Sequence, residues 1–182
     1  MSMPRLLLGG LLGEPVTEPG PGAGDEALAQ LADRLQNLAH RRLGRSLAIR
    51  HVDAGSCNGC ELEIHALSNP FYDLERFGLT FVASPRHADV LLVTGVVTRN
   101  MREALERTYA ATPGPKWVAA CGACAIDGGL FAGGYACLGG VEGVIPVDIH
   151  IKGCPPTPTA LLEGLLALLT HASKRATRPG RS

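Results

Sequence analysis

The sequence has few aromatics and no excess of either charge. Phe, Trp and Tyr make up 4% of 182 residues, and 17 Lys and Arg offset 17 Asp and Glu, giving a net charge of zero. Without a basic excess there is no electrostatic footprint for a nucleic-acid partner. No apolar run approaches the roughly 20 residues of a membrane-spanning helix. Gly128-Gly129 and Gly139-Gly140 lack the spacing of a dinucleotide fingerprint, and neither a P-loop nor a Ser/His/Asp arrangement can be read from the chain. Global disorder is excluded by a hydrophobic share of 46%. The length suits one domain with room for an extra arm. Glycine (23) and proline (13) are plentiful, which favours tight turns over a helical bundle.

Six cysteines stand out: Cys57, Cys60, Cys121, Cys124, Cys137 and Cys154. Pairing them as disulfides requires an oxidising compartment. The apolar patch Leu6–Leu12 follows only Arg5, is trailed by no clear small-residue cleavage site and is preceded by no twin arginine, so it does not read as an export signal. A reducing cytosol is the expectation, where clustered cysteines are metal ligands or catalysts.

Three zones are expected: an arm and amphipathic helix over 1–45, an α/β domain over 46–172 and a basic disordered tail over 173–182. Leu28, Leu31, Leu35 and Leu38 recur at helical spacing between Asp25 and Arg45. The basic end of that helix, Arg41, Arg42 and Arg45, reads either as a solvated helix terminus or as a docking surface for a partner or anionic lipid. From Ser46 strands alternate with helices: strands at Leu47–Val52, Leu79–Ala83, Val90–Val97, Trp117–Ala120 and Val144–Ile151, helices at Leu62–Leu67, Arg99–Ala110 and Pro158–Leu169. Such alternation predicts a parallel sheet covered on both faces.

Open sheets of this class bind ligands beyond the carboxyl ends of their strands. Cys57 and Cys60 follow the first predicted strand, Cys124 the fourth and Cys154 the last, so four thiols distant in sequence converge on one edge. Alone, Cys57-Asn58-Gly59-Cys60 could be a redox pair, half a zinc site or half a cluster site, with Gly59 permitting the backbone curl. Gly122-Ala123-Cys124, followed by Gly128-Gly129, suits a loop closing on a bulky inorganic group, and its amides can donate to sulfur. In Gly153-Cys154-Pro155-Pro156 the prolines lock the loop and start a helix well. Four thiolates are the complement of a [4Fe–4S] cluster; structural zinc remains the alternative, although zinc sites favour two close pairs.

These three motifs resemble the small electron-transfer subunit of [NiFe] hydrogenases and the homologous 20-kDa (B) subunit of complex I. The resemblance continues through Asn69-Pro70-Phe71-Tyr72-Asp73, Arg76-Phe77-Gly78, Ala83-Ser84-Pro85-Arg86-His87-Ala88-Asp89 and Thr94-Gly95-Val96-Val97-Thr98, and covers roughly Asp53 to Leu169. It implies a flavodoxin-like fold and one [4Fe–4S] cluster held by Cys57, Cys60, Cys124 and Cys154. Complex I subunits carry two adjacent cysteines at the first motif, whereas this chain has C-x-x-C. Neither the further cysteine-rich domain nor the export signal of periplasmic uptake enzymes is expected. The chain therefore resembles the short subunit of a membrane-bound, energy-converting (group 4) hydrogenase of the formate hydrogenlyase type. That resemblance implies electron transfer between the nickel–iron site of a large subunit (the counterpart of the complex I 49-kDa subunit) and a ferredoxin-like iron–sulfur subunit. It implies a peripheral position on the cytoplasmic face of the plasma membrane, beside membrane-arm subunits, with no catalytic centre in this chain. A complex I-like subunit passing electrons to quinone is the alternative, and a zinc-stabilised module is a third reading.

Cys121, at the end of a buried strand, and Cys137 match no ligand position and read as ordinary thiols. Glu61 and Glu63 open the helix after Cys60, where carboxylates are favoured by the helix dipole. Proton handling is the functional alternative, and Glu63 is its candidate because complex I subunits carry a glutamate at that offset. His65 and His87 are further candidate proton carriers, His87 with a surface or interface role as the preferred reading.

Overall fold

A computed structural model of the chain describes residues 24–176. The leucine patch at Leu6–Leu12 and the end of the basic tail lie outside the described residues. Among the described residues five strands form one all-parallel sheet: β1 (Leu47–Asp53), β2 (Leu79–Phe81), β3 (Val90–Thr94), β4 (Trp117–Cys121) and β5 (Ile149–Ile151), in the order β2-β1-β3-β4-β5. That is the flavodoxin-like, doubly wound order, and its switch point lies between β1 and β3. The helices are α1 (Gly24–Leu43), α2 (Gly59–Ala66), α3 (Arg99–Ala111), α4 (Ala123–Asp127) and α5 (Pro158–Ala176).

The period-2 alternation of buried strands sorts side chains between two cores. On β3, Val90 and Leu92 enter one cluster, while Leu91 and Val93 enter the other. On β4, Ala119 and Cys121 oppose Val118 and Ala120 in the same way. The first core also takes Leu35 and Ala39 of α1, Ile64 of α2 and Leu161, Leu162, Leu165, Leu168 and Leu169 of α5. The leucine periodicity of α1 therefore buries a stripe in the same core as the sheet. The second core takes Leu105 of α3 and Ala125 of α4.

Several boundaries differ from the sequence expectation. Val144–Ile151 is not one strand, and pairing begins only at Ile149. Val141–Gly143 forms a 3-10 turn, Pro146 offers no N–H, and Val141 and Ile145 pack into the second core instead. β3 stops at Thr94 because the backbone of Val97 pairs with Gly139 and Leu138 outside the sheet, at 3.0 and 2.7 Å. The last helix starts at Pro158, so Pro155 and Pro156 shape the preceding loop rather than the helix. It also runs on to Ala176, into the segment read as tail.

At the amino-terminal edge of the sheet Asp89 is buried and fully engaged. Arg45 grips both its oxygens at 2.7 and 2.9 Å, and the Ala48 amide donates to it at 3.0 Å. Arg45 thus pins the end of the α1 region to the sheet. His87 lies on the same edge, exposed in the 3-10 turn Pro85–His87 ahead of β3.

Candidate metal centre

The thiols occupy the opposite edge, beyond the carboxyl ends of β1, β4 and β5. After β1 the chain is turned by Asp53, whose Oδ1 accepts from the amides of Gly55 and Ser56, both at 2.8 Å. Ser56 Oγ accepts from Asn58 N at 3.0 Å and donates to Glu61 Oε2 at 2.5 Å. Asn58, not Gly59, supplies the curl: its φ of 71° is left-handed, and it caps α2. Cys57 is left exposed in the loop and Cys60 half-buried in the first turn of α2.

Cys124 is half-buried in the first turn of α4, and Cys154 is exposed after β5. Their loops are tied together by Gly122 N to Ile151 O at 2.9 Å and Ala123 N to Gly153 O at 2.8 Å. The β1 loop leans on both. A Cβ built on Gly122, at φ 86°, would stand 2.7 Å from Cys60 Sγ, too close for a real side chain. One built on Gly129, at φ 50°, would stand 3.1 Å from Cys124 Sγ. Glycine at these two positions leaves the sulfurs room.

The four thiols are near enough to act on one another. Burial pushes the Cys124 thiol above its ordinary value, and negative charge at Cys154, Cys57 and Cys60 pushes it further, against a lowering hydrogen bond from the Leu130 backbone. Cys121 is fully buried at the end of β4 and hydrogen-bonds to Cys60. That bond lowers Cys60 and, with burial, raises Cys121, so Cys121 keeps its proton. Among the described residues no three Cys, His, Asp or Glu side chains gather closely enough to grip a single metal ion. Cys137 is half-buried next to Thr98, with which it forms an isolated bridge.

Glu63 is half-buried, and its charge, like that of Glu61, acts on Cys60. The more strongly built acid is Glu61, 7% exposed. Its Oε1 has no hydrogen-bond donor and lies 3.4 Å from His51 Nε2, which is 2.8 Å from Thr94 Oγ1. His51 and Thr94 escaped the sequence reading. The signal was there in the alternation of β1, which sets His51 on the face of Ile49 and so turns a polar ring inward. A cavity of about 510 Å³ opens on this pair, lined by Arg50, His51, Asp53, Glu61 and His65 on its polar side and by Ile64, Phe81, Val82 and Ala83 on its apolar side.

Comparison with known proteins turns on this same stretch of chain. The profile of the family described as "NADH ubiquinone oxidoreductase, 20 Kd subunit" matches residues 57–168, from the first thiol into α5. The chain belongs to this family. It is 45% identical over 151 residues to formate hydrogenlyase subunit 7 of Escherichia coli K12, covering 83% of this chain and 58% of the relative. It is 47% identical over 145 residues to a probable membrane-bound hydrogenase subunit of Pyrococcus furiosus, covering 80% and 86%. A solved chain of the membrane-bound sulfane sulfur reductase, an archaeal respiratory membrane complex, superposes with a TM-score of 0.64 at 37% identity, covering 78% of this chain and 76% of that one. The relatives are thus subunits of oxidoreductase complexes. No described helix here is long and apolar enough to cross a membrane.

Proposed function

We propose that this chain is an electron-transfer subunit of a membrane-bound, energy-converting hydrogenase, in which Cys57, Cys60, Cys124 and Cys154 hold one [4Fe–4S] cluster. The observation that carries this reading is the gathering of four thiols from three separate loops on one sheet edge, with two glycines clearing space beside them. The donors are all sulfur, the set that iron–sulfur clusters take. When bound, such a cluster supplies single-electron transfer. The chain positions it, shields it and offers amides such as that of Leu130 to the sulfurs.

The surroundings suit a protein partner. Leu62 follows the first ligand pair, and Leu130, Phe131, Tyr135 and Leu138 follow Cys124; all are exposed, Leu130 and Tyr135 to 90% and 93%. Apolar side chains so placed fit a buried subunit contact. The partners would be a large subunit carrying the nickel–iron site and a ferredoxin-like subunit supplying or removing electrons, with the assembly on the cytoplasmic face beside its membrane arm. Similarity to a sulfane sulfur reductase favours a second reading, in which the same electron path serves an acceptor other than protons.

The test is the native complex drawn out anaerobically through this chain, with iron, acid-labile sulfide, nickel and zinc measured. Cys154→Ala is expected to remove about four iron atoms per complex relative to wild type and to abolish electron transfer. Retained cluster content in that variant would refute the ligand set. Nickel accompanying iron supports the hydrogenase, iron and sulfide without nickel moves the function to another acceptor such as quinone or sulfur, and zinc alone overturns the cluster.

A further inference from the structure

We propose that the outer edge of β1 between Arg50 and Asp53 is a strand-addition site, where an extended segment of a neighbouring subunit continues the sheet beyond β2 and presents a Lys or Arg side chain to Glu61. The inference rests on the reading of this chain as one subunit of a complex and on nothing about the cluster.

The sheet stops short on one side of β1. This strand pairs with β3 from Ile49 through Asp53, but with β2 only at Leu47, Ala48 and Ile49. The last bond on the β2 side runs from Val82 N to Ile49 O, at 2.8 Å. Successive strand residues direct their N–H and C=O groups to alternate sides of the strand. Ala48 O accepts from Asp89 N and Ala54 N donates to Thr94 O, so the even-numbered residues face β3. The backbone groups of His51 and Asp53 therefore face outward, and no described strand lies beside them. Arg50 to Asp53 leaves about 13 Å of free edge, a ready template for another strand.

The cavity of about 510 Å³ lies along this edge rather than on one face of the sheet. Consecutive strand residues point to opposite faces, yet Arg50 and His51 both line it, as do Val82 and Ala83 where the chain leaves β2. Two side-chain atoms of its lining residues are buried without a hydrogen bond: Glu61 Oε1, an acceptor, and Arg50 Nε, a donor. Such groups are costly to leave unpaired. Within the chain, the cation-forming group beside Glu61 is His51, whose Nε2 is 3.4 Å from Oε1 and already engaged by Thr94 Oγ1 at 2.8 Å. An apolar occupant satisfies neither atom. An extended peptide offers carbonyls to Arg50, pairs its backbone with His51 and Asp53, and through a cationic side chain gives Glu61 a charge-assisted donor. Leu62, next along α2, is exposed on the surface already proposed to meet a partner, so one subunit can cover both.

The experiment uses the intact complex drawn out through this chain. A benzophenone photocrosslinker in place of Ala83, which is exposed and lines the cavity, should join a segment of another subunit that carries a Lys or Arg beside the attachment point. In hydrogen exchange read residue by residue, the amides of His51 and Asp53 should exchange within about tenfold of that of Val52, whose N–H faces β3. Glu61→Gln should weaken the hold on the crosslinked subunit about tenfold, the loss of one charge-assisted bond. A crosslink that stays within this chain, goes to a small molecule or does not form overturns the proposal. So do faster exchange at His51 and Asp53, or a Glu61→Gln complex that holds its partner as wild type does. A chain that travels without any partner subunit fails the reading as part of a complex, and the added strand with it.

Discussion

Two buried carboxylates, Asp89 and Glu61, mark opposite edges of the sheet and are treated in opposite ways. Their exposures are nearly equal, 5% and 7%. Asp89 receives a bidentate guanidinium and a backbone amide, and its own backbone joins Ala48 and Trp117 across neighbouring strands. Glu61 receives one hydroxyl, from Ser56, and a distant imidazole, and one of its oxygens is left without a hydrogen bond. A buried acceptor without a donor is costly. The amino-terminal edge is finished as a structural joint, whereas the carboxyl-terminal edge keeps unspent hydrogen-bonding capacity beside the thiols. The satisfied carboxylate and the unsatisfied one lie at opposite edges of the same sheet.

The comparison breaks most readily at Asp89. Asp89→Ala strands the Ala48 amide and frees Arg45, and should cost about 3 kcal/mol of stability; Arg45 is more than half exposed and can rehydrate, which keeps the loss at the low end for a broken buried pair. Chemical denaturation of the full chain measures it, and a loss under about 1 kcal/mol would mean the joint is ornamental. Gly122→Ala comes next. A methyl 2.7 Å from Cys60 Sγ, on a backbone at φ 86°, should cost about 1–3 kcal/mol and lower iron retention by displacing that sulfur. Full iron content in Gly122→Ala would show that the sulfurs have more freedom than their packing suggests.

Much of this architecture could be read from the residues. The central strands β3 and β4 are continuous apolar runs, and their parallel pairing follows from the alternation with helices. The three cysteine loops followed from strand ends alone. What could not be read was what depends on distant partners. Val144–Ile151 has strand composition, but Pro146 and the burial of Val141 and Ile145 hold most of it out of the sheet. Arg45 belongs by sequence to a basic helix end, yet its partner lies 44 residues away. Glu61 looked like a dipole-favoured surface acid, and only the fold sets His51 and Thr94 against it. Asn58 was overlooked for a different reason. The neighbouring glycine was the obvious carrier of the turn, but a short polar side chain also tolerates left-handed backbone.

The smallest expected effect gives the finest discrimination between the two carboxylates. Glu61→Gln keeps an oxygen for the Ser56 hydroxyl and removes a buried negative charge that has little to satisfy it. Its stability should stay within about 1 kcal/mol of wild type, whereas Asp89→Asn, which weakens a charged bidentate pair, should lose about 2 kcal/mol. The same change has a second, signed consequence. Glu61 raises the His51 proton affinity, so its loss lets burial and Arg50 act with less opposition. The His51 ring should therefore titrate at lower pH in Glu61→Gln, as followed by the imidazole resonances of the full chain. A variant that is as damaged as Asp89→Asn, with the His51 titration unmoved, would make Glu61 a second structural joint and erase the distinction between the two edges.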